Sequence, residues 1–94
     1  MVQQYKGDAP SLQQNVPNPF NHETTINYSI PNKFSLAQII ITDKNGNQLK
    51  QFHLSATGKG SITVDASTLA SGAYNYSLYV DGRLIATKQM VLTK

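Results

Sequence analysis

Hydrophobic and polar residues alternate along most of the chain after residue 23. The alternation is clearest in residues 24–30 and 73–80, where every second residue is apolar or aromatic and most of the others are small or polar. A period of two residues is typical of strands that bury one face. We therefore predict two strands whose inward side chains are Ile26, Tyr28, Ile30, Tyr74, Tyr76, Leu78 and Val80.

Four further segments show the same short alternation, namely residues 35–42, 48–54, 61–65 and 83–93. Leu49 is predicted to anchor the second of them in the core. In the last one, the predicted faces are Leu84, Ala86, Met90 and Leu92 on one side and Ile85 and Val91 on the other.

Turn-forming residues separate these segments. The pairs Asn45-Gly46 and Asp81-Gly82 favour two-residue hairpins, because both positions of such a turn take positive φ. Short strands with frequent turn signals predict an all-β fold, a small immunoglobulin-like β-sandwich of about six or seven mostly antiparallel strands. The other connections are predicted to be a flexible loop at residues 57–60 and an irregular corner or single helical turn at residues 66–71.

The first part of the chain has no periodic pattern, and prolines interrupt it at positions 10, 17 and 19. Proline has no N–H to donate and pushes the preceding residue toward an extended conformation. We predict that residues 1–11 form a linker and that the sandwich domain spans residues 12–94. Residues 12–22, the lead-in segment, are predicted to be extended and to bury Leu12, Val16 and Phe20, with Phe20 closing one end of the sandwich.

The composition agrees with one small β domain. The 94 residues include twenty Val, Ile and Thr, eight Phe and Tyr, one Glu and no Cys, so no disulfide or cysteine–zinc site is expected. The net charge of +3 comes from basic residues spread along the chain, whereas a nucleic-acid footprint needs them clustered. No apolar run has the length of a membrane span, which is about 18 residues, and the N-terminal residues do not form a signal peptide.

Residues suited to catalysis are few. No G-x-S-x-G elbow or glycine-rich phosphate loop occurs, and the turn at residues 43–47 departs from the calcium-loop pattern. Two histidines cannot complete the three or four ligands that metal sites usually need. We therefore predict no enzyme activity, no catalytic residue, no metal and no cofactor. The acids and histidines considered are Asp8, Glu23, Asp43, Asp65, Asp81, His22 and His53.

Several segments, in order, resemble one known family. Residues 12–21, which contain Pro17-Asn18-Pro19-Phe20-Asn21, and residues 24–31 resemble the opening of the type A C-terminal sorting domains of the type IX (Por) secretion system of Bacteroidota. Residues 39–46, 69–74 and 87–94 are similar to its later segments: an apolar strand ending in Asp, an L-x-x-G-x-Y segment and a lysine-bounded ending. The family usually has an aromatic residue where this chain has Thr42.

The resemblance implies a secretion signal rather than an enzyme. Such a domain directs a preceding cargo protein through the outer-membrane translocon to the surface of a Gram-negative bacterium, by way of the periplasm. A sortase-like peptidase then typically removes it. The implied partners are the translocon, the attachment complex and the cargo, with no nucleic acid and no direct membrane insertion. We expect the cargo and its signal peptide to lie outside these 94 residues.

The matching segments also suggest which residues take part in recognition. Gly72, Tyr74, Lys88 and Lys94 are the candidate recognition residues, and the final strand is expected to be read by strand addition along an exposed edge. The lead-in residues are expected to be structural, namely Pro17, Asn18, Pro19 and Phe20. Two alternatives stay open: an adhesive or carbohydrate-binding sandwich, for which the outward Tyr79 is the one aromatic candidate, and an assembly module that associates through an exposed edge.

Overall fold

The computed structural model describes residues 10–31, 36–55 and 58–94. Within these ranges the chain forms seven β-strands, and no helix long and apolar enough to cross a membrane is present. The strands are β1 Ser11–Leu12, β2 Glu23–Ile30, β3 Ala37–Thr42, β4 Gln48–Leu54, β5 Gly58–Asp65, β6 Gly72–Val80 and β7 Arg83–Leu92.

The strands form two sheets with all neighbouring strands antiparallel. One sheet has the order β1-β2-β5 and the other the order β4-β3-β6-β7. Alternate side chains from both sheets fill one core between them, which confirms the predicted small β-sandwich. The largest fully buried side chains are Tyr76, Ile26, Ile30, Ile39, Ile41, Leu78, Met90 and Leu92.

The lead-in segment joins the two sheets along one flank. It first runs antiparallel to β2, where Val16 forms a bridge with Thr25. It then crosses to the other sheet, where Phe20 forms a parallel bridge with Leu92 at the end of β7. On the flank of β1 and β7 the lead-in segment therefore covers the last residues of β7, whereas β4 and β5 are the outermost strands on the opposite flank.

The two hairpin predictions have different outcomes. Asp81 and Gly82 have φ of 52° and 80° and connect Val80 directly to Arg83, so the two-residue turn is confirmed. The Asn45-Gly46 prediction is wrong, because in that pair only Gly46 has positive φ.

The Asn45-Gly46 turn is longer because an aspartate organises it. Asp43 Oδ1 accepts the N–H groups of Asn45 and Asn47, both at 2.9 Å, and the Asp43 carbonyl accepts the N–H of Gly46 at 3.0 Å. A side chain that satisfies these donors favours a five-residue connection, residues 43–47, over the tighter turn.

Two leucines lie on the face opposite to the predicted one, Leu49 in β4 and Leu84 in β7, whereas Met90 and Leu92 are buried as predicted. Leu49, the predicted anchor, is 41% exposed, because Lys50 lies opposite the core-facing Ile41 and Leu49 therefore lies on the other face of β4. Leu84, predicted to lie on the same face as Met90, is 57% exposed, and Ile85 packs against the core instead. In β7 the register shifts between Leu78 and Tyr79, so one extra residue moves the following side chains to opposite faces.

Other predictions for the connections and the lead-in segment have mixed outcomes. Val16 is 63% exposed rather than buried, and its neighbour Asn15 is buried instead. The flexible loop predicted at residues 57–60 is wrong for its described part, because residues 58–60 pair with β2. The irregular corner at residues 66–71 is confirmed, with Leu69 and Ala66 joined by one backbone hydrogen bond of 3.0 Å.

A close contact explains the glycine in the middle of β5. Gly60 lies directly opposite Tyr28, and a Cβ on Gly60 would be 2.6 Å from the Tyr28 Oη atom. The tyrosine ring therefore covers the backbone of the outer strand, an arrangement known to support glycine at a sheet edge.

The predicted boundary between linker and domain stays a prediction. Residues 1–9 lie outside the described residues, and Ser11, the last residue of the predicted linker, pairs with Ser29 of β2.

Candidate recognition site

The corner before β6 has a local structural explanation. Leu69 is buried, and the Tyr74 hydroxyl donates to the carbonyl of Ala70, which is the tyrosine-corner arrangement of immunoglobulin-like sandwiches. Gly72 has a φ of 153°, and a Cβ there would meet nothing within 4 Å. Backbone conformation rather than lack of space therefore favours glycine at this position.

The C-terminal residues are fastened to this corner. The N–H of Lys94 donates to Ser71 Oγ at 3.0 Å, and Leu92 lies opposite Gly72 in the β6–β7 pair. Three of the four candidate recognition residues, Gly72, Tyr74 and Lys94, therefore lie together. We call this part of the sandwich the Lys94 end.

The fourth candidate, Lys88, lies apart from the others. It is four residues before Leu92, which is about 14 Å along the strand. It lies directly opposite Tyr76, so its side chain starts on the core-facing side of β7, and it is half-buried. A lysine in such a place extends its aliphatic stem over apolar atoms and places the ammonium group in water.

The lead-in segment occupies part of the β7 edge. The N–H of Val91 donates to Asn18 Oδ1 at 2.9 Å, and the Val91 carbonyl accepts the N–H of Phe20 at 3.0 Å. The Gln14 side-chain amide donates to the carbonyl of Gln89 at 2.7 Å. The final strand was expected to have an exposed edge. That expectation is wrong for residues 89–91, because the lead-in segment already forms hydrogen bonds with their backbone groups.

A buried polar network holds the lead-in segment, and no sequence motif marks it. The Tyr76 hydroxyl accepts the N–H of Asn15 at 2.8 Å and donates to the Gln13 carbonyl at 2.7 Å. Burial raises the pKa of Tyr76 above its ordinary value of 10.0. Asn15 resembles any turn asparagine in the sequence, and Tyr76 resembles any core aromatic residue.

The same network extends to the first proline of the motif. The Asn15 amide donates to Thr24 Oγ1 and to the Pro17 carbonyl, both at 3.0 Å, and the Thr24 hydroxyl donates to the same carbonyl at 2.8 Å. No buried side-chain polar atom in the described ranges lacks a partner. The peptide bonds before Pro17 and Pro19 are both cis.

The Lys94 end also has a shallow recess of about 170 Å³ beside the β3–β4 turn. Asp43 lies on its rim, and hydrogen bonds, chiefly from the Asn47 N–H, lower the pKa of that carboxyl below 3.8. Two exposed lysines, Lys44 and Lys94, carry positive charge here. The recess is lined by Asp43, Lys44, Ser71, Gly72, Ala73 and Tyr74.

The remaining candidate chemistry is dispersed. In the part of the chain that the structure describes, no three acids or histidines converge on a point where a metal ion could sit. His22 and His53 are exposed, and Tyr79 is half-exposed opposite Leu84 on the outer face of its sheet. The Lys94 end combines exposed backbone, hydroxyl and ammonium groups, which suits contact with another macromolecule.

A protein-family model matches most of the chain. The family model described as secretion system C-terminal sorting domain matches residues 16–93. No curated protein matched the chain. The match covers all of β2 to β7 together with most of the lead-in segment. The chain therefore belongs to the family of C-terminal sorting domains of type IX secretion.

Proposed function

We propose that this domain carries a cargo protein, attached before its first strand, from the periplasm through the type IX outer-membrane translocon to the surface of a Gram-negative cell. A sortase-like peptidase then removes the domain within residues 1–11. Membership of the family supports the coarser part of this function, which is a secretion signal that interacts with type IX machinery and is joined to a cargo. Domains of this family are typically non-catalytic.

The observation that carries the proposal is the separation of the two ends of the domain. Ser11 pairs with Ser29 near the end of β2, whereas Phe20, just before the start of β2, bridges Leu92. The eight residues of β2 span about 24 Å between these points. A cargo joined before Ser11 therefore leaves the Lys94 end free for the translocon.

The proposal gives each candidate recognition residue a role. In this proposal Lys94 and the exposed backbone at Gly72 contact the translocon, and Tyr74 positions that backbone through its bond to Ala70. Lys88 adds a second positive contact farther along the same strand. The positive charge of both lysines suits an acidic surface on the partner.

A reporter fusion tests the proposal. Residues 1–94 are joined to a Sec-exported fluorescent protein in a bacterium with a type IX system, and surface, periplasmic and medium fractions are compared. We expect the reporter at the cell surface or in the medium, released from the domain. Intact fusion retained in the periplasm would contradict export, and exported fusion that keeps the domain would contradict removal.

Point variants test the recognition residues without breaking the fold. Truncating the final strand is unsuitable, because it removes the buried Met90 and Leu92. Lys94→Ala is compared with Lys44→Ala, which removes another exposed charge at the same end. We expect Lys94→Ala to lower export about fivefold, since one lost contact costs on the order of 1 kcal/mol. Equal export by both variants would remove Lys94 from the proposal.

A second matched pair addresses the other lysine. Lys88→Ala is compared with Lys50→Ala, because both lysines are half-buried and start on the core-facing side of an outer strand. Export must fall for Lys88→Ala alone if Lys88 contacts the translocon. An equal fall in both variants, with equal loss of stability, indicates a purely structural role.

A further inference from the structure

The outer strands of the four-stranded sheet have features that prevent pairing with another strand. β4 has a bulge at Leu49 and a half-buried lysine, Lys50, on its core-facing side opposite Ile41. β7 has a bulge at Ile85, the core-facing Lys88, and the lead-in segment along its last residues. Bulges, inward-facing charges and covering segments are the usual means of blocking a sheet edge.

β5, the long outer strand of the other sheet, has no bulge, inward-facing charge or covering segment among the described residues; its charged residues, Lys59 and Asp65, are exposed on the outer face. It pairs with β2 through eight residues in continuous register, with no bulge. Its core-facing side has Gly58, Gly60, Ile62 and Val64, and no charge. Ile62 is only partly buried and packs against the core at this open flank.

The backbone groups of β5 that point away from β2 can be identified from the lead-in contacts. Thr25 exchanges both backbone hydrogen bonds with Val16, and the Asn27 carbonyl accepts from Gln13, so odd-numbered residues of β2 point toward the lead-in segment. Even-numbered residues of β2 therefore bond to the even-numbered residues of β5. The outward backbone groups of β5 belong to Lys59, Ser61, Thr63 and Asp65.

This set of outward residues is complementary to itself. Lys59 and Asp65 lie three residues on either side of Ile62, and Ser61 and Thr63 lie one residue on either side. An antiparallel copy centred on Ile62 places each lysine opposite an aspartate and each serine opposite a threonine. Opposite charges and hydroxyl pairs directly across two strands are stabilising.

We propose that two copies of this chain associate through β5, antiparallel about a two-fold axis at Ile62, so that their three-stranded sheets form one sheet of six strands. We take the partner at this edge to be a second copy, because Lys59 and Asp65 are placed symmetrically about Ile62. An isologous contact brings the same surface of both copies together, so it pairs each lysine with an aspartate. The four outward residues of β5 each form a hydrogen-bonded pair with the opposite residue of the second copy. Each pair exchanges two bonds, so the contact provides about eight backbone hydrogen bonds. The two Ile62 side chains meet on the axis and become buried.

A second electrostatic feature favours the same register. Glu23 lies directly opposite Asp65 across the β2–β5 pair, and both carboxylates are exposed. Like charges in this relation repel each other. Lys59 of the second copy would lie beside this acidic pair and reduce the repulsion. The Asp65 carboxylate also accepts the N–H of Ser67 at 2.8 Å, which holds it at the end of the strand.

Self-association goes beyond the sorting function and is independent of it, so the test uses the purified chain without a secretion system. Sedimentation velocity is measured at protein concentrations from about 10 μM to about 1 mM, because a contact through a single pair of strands is small and is expected to be weak. We expect the sedimentation coefficient to rise from that of a monomer to that of a dimer. A monomer at every concentration overturns the proposal.

A matched pair of variants identifies the edge. Thr63→Pro removes an outward N–H that β2 does not use, and proline is tolerated at such positions of an outer strand. Thr63→Val keeps the N–H and the β-branched shape. We expect dimerisation to weaken at least tenfold for Thr63→Pro and to persist for Thr63→Val, with both variants folded by circular dichroism. Equal association of folded Thr63→Pro and wild type overturns the proposal.

Cysteine cross-linking tests the register, because the chain has no cysteine of its own. Ile62→Cys places two thiols on the axis, where the Cα atoms of a non-hydrogen-bonded pair are about 4.5 Å apart. Gln51→Cys, on the outer strand β4, is the control. We expect oxidation to yield a covalent dimer for Ile62→Cys at least tenfold faster than for the control. Equal rates overturn the register.

Discussion

The backbone N–H of Thr93 donates a hydrogen bond of 2.8 Å to the carbonyl of Phe20. This bond joins the residue after the last strand of one sheet to the segment that leads into the other sheet. The Phe20 side chain, 2% exposed, fills the core beneath the junction. The first and last segments of the domain therefore stabilise each other, and the candidate recognition residues at the Lys94 end depend on both.

Phe20→Ala is expected to reduce the free energy of unfolding by about 3–5 kcal/mol, because a large buried side chain is replaced by a cavity. Urea unfolding followed by circular dichroism measures this. Val16→Ala is the control, since Val16 lies in the same segment but is exposed, and its effect should stay within about 0.5 kcal/mol. Equal effects would mean that Phe20 does not hold the end of the sandwich.

Tyr76→Phe is expected to lower stability by about 1–3 kcal/mol, because it leaves the buried N–H of Asn15 without its acceptor. Tyr79→Phe serves as the control: among the described residues, the Tyr79 hydroxyl has no hydrogen-bond partner, so little change is expected. Hydrogen exchange provides a second readout, because the Asn15 amide should lose protection in Tyr76→Phe only. Retained protection would contradict the role of this hydroxyl.

The raised pKa of Tyr76 predicts a pH effect with a definite sign. In the unfolded chain the phenol ionises near pH 10, whereas burial in the folded chain keeps it protonated to higher pH. Its contribution to stability is therefore complete below pH 10.0 and is lost as the pH rises through the raised pKa. Above pH 10 the wild type should lose stability more steeply than Tyr76→Phe. Lysine titration affects both proteins equally, so the difference between the two curves reports on Tyr76. Parallel curves would contradict this.

Gly60→Ala is expected to lower stability by about 1–3 kcal/mol, because the new Cβ overlaps the buried Tyr28 ring. Ser61→Ala, at the adjacent exposed position, is the control and should change stability little. Thermal unfolding of both variants and of the double variant Tyr28→Ala with Gly60→Ala measures the coupling. The double variant should lose less than the sum of the single losses, and strict additivity would show that the ring and the added methyl group do not meet.

The lowered pKa of Asp43 predicts a loss of stability in acid. The ionised carboxylate accepts the N–H groups of the turn, so its contribution is present above pH 3.8 and is lost as the pH falls through the lowered pKa. Asp43→Asn should flatten the acid limb of the stability curve, whereas Lys44→Ala should leave it unchanged. An unaltered acid limb in Asp43→Asn would show that the turn does not depend on the charge.

The strand pattern was predictable because it depends on local alternation. Ile26, Tyr28 and Ile30 are buried as their spacing indicates, since a side chain two residues along a strand returns to the same face. Leu84 was misassigned because a bulge inserts one residue, and nothing in the local pattern marks where the partner strand requires it. Leu49 was misassigned because the core-facing residues of β4 are the even-numbered ones.

The candidate site was predictable only in part. The L-x-x-G-x-Y segment and the lysine-bounded ending suggested Gly72, Tyr74, Lys88 and Lys94 as candidates, and the fold brings all of these except Lys88 to one end. Asn15 was missed, because its importance comes from the Tyr76 hydroxyl, which lies 61 residues away along the chain.

The sequence by itself determined the class of fold, most of its strands and the family, because these depend on side-chain periodicity and on segments read in order. Tertiary structure alone decided that the lead-in segment covers the end of β7, that Lys88 faces the core side, and that no described residue covers the outer strand β5. Those outcomes depend on backbone hydrogen bonds between distant strands, and such bonds involve groups that every residue shares, so residue identity does not reveal them.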